Sequence, residues 1–205
     1  MLVTSQGSPS LTNDEFWRCI DQIDDADRID GRMATALSGE LARLPIPRIV
    51  GFHLQLLEHS RQLLTWELWE AAEIIHGGSC SEDTFCYFRL WVISRGESVF
   101  RTAVADPDGL AEEPRIARLA GKPPSVWTND DFPHMEDLLI TAEMAYDRAV
   151  MKLRPGLAES LPFPTELHDR PRETPNSSMP RDLGGRERAR RTCPRLSALF
   201  GERND

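Results

Sequence analysis

Residues 66–96 read WELWEAAEIIHGGSCSEDTFCYFRLWVISRG, and their pattern predicts a helical protein. Apolar side chains recur at helical spacing on both sides of two adjacent glycines, which suit the end of a first helix. Ser81 and the two acidic residues after it provide an N-cap and a negatively charged first turn for a second helix. Because the connection is short, we expect the two helices to form a central antiparallel hairpin.

Helical patterns continue on both sides of this hairpin. Thr12 and Glu15 have the spacing of a capping box, which predicts a helix start. Pro47 suits the first turn of a further helix, and residues 135–153 carry apolar side chains on one face over five turns. No segment shows the alternation of a strand. The sequence therefore predicts an all-α protein with a single compact multi-helix domain.

Composition divides the chain into a flexible N-terminus (1–11), a helical domain (12–154) and a disordered tail (155–205) that contains proline and arginine. The tail holds 7 of the 15 prolines and few large apolar residues, so burial is not expected to offset the entropy cost of ordering it. Within it, a basic cluster from Arg186 to Arg195 precedes Leu196 and Phe200 and could dock on a partner or an anionic surface. A solvated chain end is the favoured interpretation.

Charge and hydropathy limit the classes of partner. Outside the tail the chain has 15 basic and 25 acidic residues, a net charge of −10 that opposes nucleic-acid binding by the folded domain. No apolar run reaches the roughly 18 residues of a membrane span, and the N-terminus lacks the features of a signal peptide. We therefore expect a cytoplasmic protein without a membrane partner. The 22 arginines against two lysines are typical of a GC-rich bacterial genome, such as that of an actinobacterium.

Several groups of residues carry a family resemblance. They are WELWEAA at 66–72, GGSCSED at 77–83, the Phe-Arg-x-Trp group at 88–91 and Asp-Pro-Asp at 106–108. In these groups the chain resembles an uncharacterised bacterial family, domain of unknown function 4240, over most of residues 12–150. The resemblance implies a helical domain and no mechanism. The chain departs from the family at Glu73 and His76, so any activity that depends on these two would be special to this member.

The spacing of polar and aromatic residues in the hairpin suggests a candidate site. Glu73 and His76 fall on one face of the first helix together with two tryptophans. Arg89 on the second helix could hold an anionic group between aromatic walls. The predicted ligand-binding residues are Trp66, Trp69, Asp83, Arg89 and Trp91.

Two functions fit such a pocket. The first is a binding module for a small anionic or polar ligand, or for a side chain of a partner protein. The alternative is a small tailoring or hydrolytic enzyme, with actinobacterial specialised metabolism as one setting, in which Glu73 is the general acid or base and His76 its catalytic partner. A purely structural interpretation is favoured over both: Arg89 is a buried cation neutralised by Glu70 or Glu73, and the tryptophans fill the core.

Other chemistries are weaker. Glu73-x-x-His76 occurs in di-iron bundles, but these need a second such motif and two further carboxylates, so we predict no metal and no cofactor. Cys80 precedes a helix and could be a thiol nucleophile with His76 as its base, although the geometry of a tight turn explains it better. A third function, regulation through binding of the basic tail to nucleic acid or an acidic partner, stays open. The sequence gives no oligomeric state.

Overall fold

The computed structural model describes residues 10–28, 32–153, 163–164, 175 and 185–201. Every regular element within these ranges is helical, which confirms the predicted all-α class. The α-helices are α1 (Asn13–Asp21), α2 (Arg32–Leu41), α3 (Ile46–Gln62), α4 (Trp66–Ile75), α5 (Glu82–Ser94), α6 (Glu97–Ala105), α7 (Pro114–Ala117), α8 (Thr141–Leu153), α9 (Gly185–Thr192) and α10 (Pro194–Phe200). Short 3-10 turns are Asp25–Asp27, Pro107–Glu112, Pro124–Val126 and Glu136–Ile140.

The chain forms two compact units, and the division falls inside α3. The first comprises the described parts of residues 1–58 and 137–170. Its core is built from the apolar faces of α1, α2, α8 and the first part of α3, with Phe16 fully buried against the Phe52 ring at 4.9 Å. Phe163 is also buried here, with its ring 5.4 Å from that of Tyr146.

The start of α1 confirms the predicted capping box. The Thr12 hydroxyl accepts a hydrogen bond from the Glu15 amide, and the Glu15 carboxylate accepts one from the Thr12 amide at 3.0 Å. This backbone hydrogen bond, followed by the hydrogen bond from Arg48, lowers the pKa of Glu15 from 4.5 to about 2. The Glu15 carboxylate is therefore ionised at neutral pH, and its negative charge stabilises the exposed amides at the helix N-terminus.

Replacing Thr12 with alanine is expected to lower the free energy of unfolding by about 1 kcal/mol, because an orphan helix amide loses its acceptor. Thr12→Ser keeps the hydroxyl and should cost much less. Since the folded-state pKa of Glu15 is depressed, its contribution is present above its ordinary pKa of 4.5 and is lost as the pH falls towards 2. Urea unfolding of the wild type and the Thr12 variants at pH 7 measures the contribution of the cap, and equal stability of Thr12→Ala and wild type would contradict it. The same titration of the wild type at pH 3 should show the reduced contribution of Glu15.

The second unit comprises the described parts of residues 59–136 and 171–205. Thr65 and Ser81 cap α4 and α5 through their side chains, so α5 begins directly after its predicted N-cap. Gly77 and Gly78 have φ of 81° and 96°, left-handed values that favour glycine and end α4 as predicted. The two helices contact each other through aromatic side chains, while their antiparallel direction stays a prediction.

Residues 185–201 differ from the prediction of a disordered tail. Residues 185–201 include α9 and α10, and Cys193, Leu196 and Phe200 are at most 4% exposed. The favoured interpretation of a solvated chain end is therefore wrong for this segment. Burial of its apolar side chains, together with ion pairs to acidic residues of the same unit, offsets the entropy cost of ordering it. The other residues of the predicted tail, apart from 163, 164 and 175, lie outside the described ranges, as does most of the predicted flexible N-terminus.

No helix within the described ranges combines the length and the apolar character that crossing a bilayer requires. The longest of those listed above, α3, has 17 residues and carries Arg48, Glu58 and Arg61. A span of the hydrocarbon core needs about 20 predominantly apolar residues.

Candidate functional site

The first turns of α4 bring together three of the predicted site residues. Trp66 and Trp69 have ring centroids 5.7 Å apart, and the Trp69 indole Nε1 donates a hydrogen bond to Glu73 Oε1 at 3.3 Å. Trp69 is nearly buried, whereas Trp66 and Glu73 are partly exposed. The helical spacing of the three residues thus produces a carboxylate held beside two indoles at the edge of the unit.

Arg89 is enclosed. Its side chain is among the largest fully buried ones, and Nη1 donates a hydrogen bond to the carbonyl of Ser60 at 2.8 Å. Its Cζ lies 5.0 Å from the centroid of the Phe85 ring, which in turn lies 4.7 Å from the ring of Trp69. An aromatic ring therefore connects Arg89 to the Trp69–Glu73 pair, and the main-chain hydrogen bond favours a structural role for the guanidinium.

Glu70, one of the two expected counter-ions of Arg89, forms an ion pair with Arg188 of α9. Burial raises the pKa of Glu70, while a hydrogen bond from Thr192 and the charge of Arg188 oppose that rise. The side chain of Glu70 is therefore occupied by residues of α9.

His76 is directed to a different set of partners. Its Nδ1 lies 2.8 Å from the carbonyl of Ala72, and its ring packs edge-on at 5.8 Å against Phe88. Burial lowers the pKa of His76, an effect that the hydrogen bond with Ala72 opposes. The ring is therefore neutral at pH 7, and because a carbonyl only accepts, Nδ1 carries the proton and Nε2 is left as an acceptor.

Trp91 belongs to the same aromatic group as His76. Its ring stacks on Phe88 at 5.8 Å and it is 3% exposed, so it is part of the core. The site expected from the sequence is thus divided into an indole–carboxylate group around Glu73 and an imidazole–aromatic group around His76. The acid–base roles of these two residues stay predictions.

Asp83 and Cys80 lie near the start of α5. Asp83 is exposed in the acidic first turn of that helix. Burial, followed by the charge of Glu73, raises the pKa of the Cys80 thiol to about 12. The thiolate that a nucleophile needs is therefore disfavoured at pH 7, which supports the geometric explanation for this cysteine.

Two further sets of residues were not anticipated. The ring of Trp127 lies 6.2 Å from that of His76, and the Trp127 indole donates a hydrogen bond to the carbonyl of Lys122 at 3.1 Å. Arg195 of α10 is surrounded by Asp106, Asp108 and Glu112. Both acidic and basic clusters are visible in the sequence, but no local signal pairs residues more than 80 positions apart.

Two further features of the described residues bear on metal ions and small ligands. They contain no group of three or more His, Cys, Asp and Glu side chains arranged to hold a metal ion. An open depression of about 350 Å³ lies in the first unit and includes none of the predicted site residues. It is lined by Gln22, Ile23, Asp24, Asp27, Ala36 and Glu40.

Residues 11–148 match the model of a family described as "Protein of unknown function (DUF4240)". No curated protein and no solved structure matches the chain. The matched range contains every predicted site residue and ends before α9 and α10.

Proposed function

The chain belongs to the family of proteins of unknown function named DUF4240, and we propose that it is a binding module that recognises a polar ligand or a partner side chain at the exposed edge of α4. The observation that carries this proposal is the Glu73 carboxylate, partly exposed and oriented by the Trp69 indole. Trp66 lies beside it as a second aromatic surface.

The charges at this edge specify the class of ligand. Of the two charged residues at the centre of the candidate site, Glu73 reaches solvent and Arg89 does not. A carboxylate next to indole rings suits a cationic group that also donates hydrogen bonds, since such a cation gains from both the charge and the ring faces. We therefore favour an amine or guanidinium group as the recognised element.

The proposal is tested with N-acetyl-arginine amide as the probe, titrated into the ¹⁵N-labelled protein while the indole N–H resonances are followed by NMR. We expect saturable shifts of the Trp66 and Trp69 signals. Glu73→Gln should weaken binding by about tenfold or more, because the amide can still accept from Trp69 but no longer carries the charge.

Glu67→Gln is the matched control, since Glu67 lies on the same helix with an exposed side chain. It should bind the probe like the wild type, and inorganic phosphate should leave the indole signals unshifted. Equal binding by Glu73→Gln and wild type, or a response to phosphate alone, would contradict the proposal.

A further inference from the structure

Three acidic residues of the second unit surround one arginine of α10. Arg195 pairs with Asp106, with Asp108 (Nε to Oδ2, 3.1 Å) and with Glu112 (Nη1 to Oε1, 3.0 Å). The three acids belong to the turn between α6 and α7, and we call them the acidic seat. One guanidinium thus satisfies three carboxylates that would otherwise repel each other.

Asp108 is the buried member of the seat, with 4% exposure. Besides the Arg195 side chain, it accepts the amide of Arg195 at 3.0 Å and the amide of Leu196 at 2.8 Å. These donors all come from the first turn of α10, where a carboxylate is stabilised by the exposed backbone amides. A buried carboxylate therefore receives its hydrogen bonds from a segment more than 80 residues away in the chain.

Apolar contacts and a second ion pair also attach α9 and α10 to the rest of the second unit. Leu196 and Phe200 of α10 are buried, and α10 contacts both the turn carrying the seat and α4. Arg188 of α9 pairs with the buried Glu70 of α4. The segment is thus attached as an amphipathic peptide would be, with apolar residues on one face and arginines directed to acids.

The acidic seat and the segment that occupies it differ in whether they lie within the range matched by the family. All the acids lie within the part that matches the family, whereas α9 and α10 lie beyond it. Arg195 is 45% exposed, so its ion pairs are open to screening by salt. A helical segment this short is unstable by itself in water, so it gains its order from docking.

We infer that the acidic seat, with the adjoining surface of α4, is a recognition surface for an arginine-bearing amphipathic helix, and that residues 185–201 occupy it as an intramolecular ligand able to leave as a unit. Departure of the segment exposes Asp108 and Glu70 together. The surface then takes a second copy of the same segment supplied in trans. This inference does not depend on the function proposed for Glu73.

Labelling of Cys193 in the full chain tests the inference. This thiol is 1% exposed, and burial raises its pKa to about 12, so a maleimide at pH 7.5 reacts with it only after the segment leaves. Mass spectrometry reads each cysteine separately. We expect Arg195→Ala to accelerate labelling of Cys193 at least tenfold, while Arg191→Ala, which removes an exposed arginine of α9, leaves the rate unchanged.

A synthetic peptide of residues 185–201 with Cys193→Ser provides the trans arm. At about millimolar concentration, comparable to the effective concentration of a tethered segment, it should trap the open seat and accelerate labelling of Cys193 in the wild-type chain. Three results would each overturn the inference. The first is slow, unchanged labelling of Cys193 in both arms, and the second is immediate labelling of Cys193 in the wild type. The third is labelling of the core thiol Cys86 at the same rate as Cys193, because this means that the segment is released only by global unfolding.

Discussion

Replacing Arg89 with alanine is expected to lower the free energy of unfolding by about 3–5 kcal/mol, because the substitution both opens a cavity and removes a buried charged donor. The side chain is 1% exposed, and the Ser60 carbonyl would lose the hydrogen bond that Nη1 donates at 2.8 Å. The face of Phe85 would lose the cation packed against it. Urea unfolding followed by tryptophan fluorescence and circular dichroism measures the change.

Two further arginine variants serve as controls for Arg89→Ala. Arg101→Ala removes a guanidinium that is 70% exposed and paired with Glu97 one turn earlier, so it should cost less than about 0.5 kcal/mol. Arg89→Lys keeps the charge but loses the planar fork, and we expect it to restore only part of the stability. If Arg89→Ala unfolds within about 1 kcal/mol of the wild type, the guanidinium is not structural and its predicted role as an anion anchor gains support.

The parts of the fold that the sequence predicted correctly depend on short-range contacts. The capping box of Thr12 and Glu15, the Ser81 cap and the glycine stop at Gly77 and Gly78 involve residues within a few positions of each other. Such signals are properties of a single turn and do not require knowledge of the core. Helical spacing likewise anticipated that Trp69 and Glu73 would share a face.

What the sequence did not reveal depends on tertiary packing. Nothing local indicates that Arg89 reaches the Ser60 carbonyl, or that His76 is fixed by the carbonyl of Ala72 rather than paired with Glu73. The docking of Arg195 joins residues 83 to 89 positions apart, which single-sequence patterns cannot connect. The sequence shows Leu196 and Phe200 after the basic cluster, but not that a surface of the same chain buries them.

Truncating Glu113 to alanine is expected to lower the free energy of unfolding by about 3–5 kcal/mol, because one buried carboxylate serves two purposes. Its Oε2 accepts the amides of Arg115 at 2.7 Å and Ile116 at 2.9 Å and so caps α7, while Oε1 accepts Nε of Arg95 at 3.1 Å. The Glu113 and Arg95 side chains are 3% and 9% exposed, so water cannot readily replace the lost carboxylate.

The neighbouring Glu112 is a matched control, since its side chain is 78% exposed and its pair with Arg195 is at the surface. Glu112→Ala should therefore cost less than about 1 kcal/mol in the same urea titration. Glu113→Gln retains an acceptor for the amides of α7 but gives up the charge beside Arg95, so its stability should fall between those of wild type and Glu113→Ala. If Glu112→Ala and Glu113→Ala are equally destabilising, exposure does not govern the strength of these pairs, and the structural role given to Glu113 is wrong.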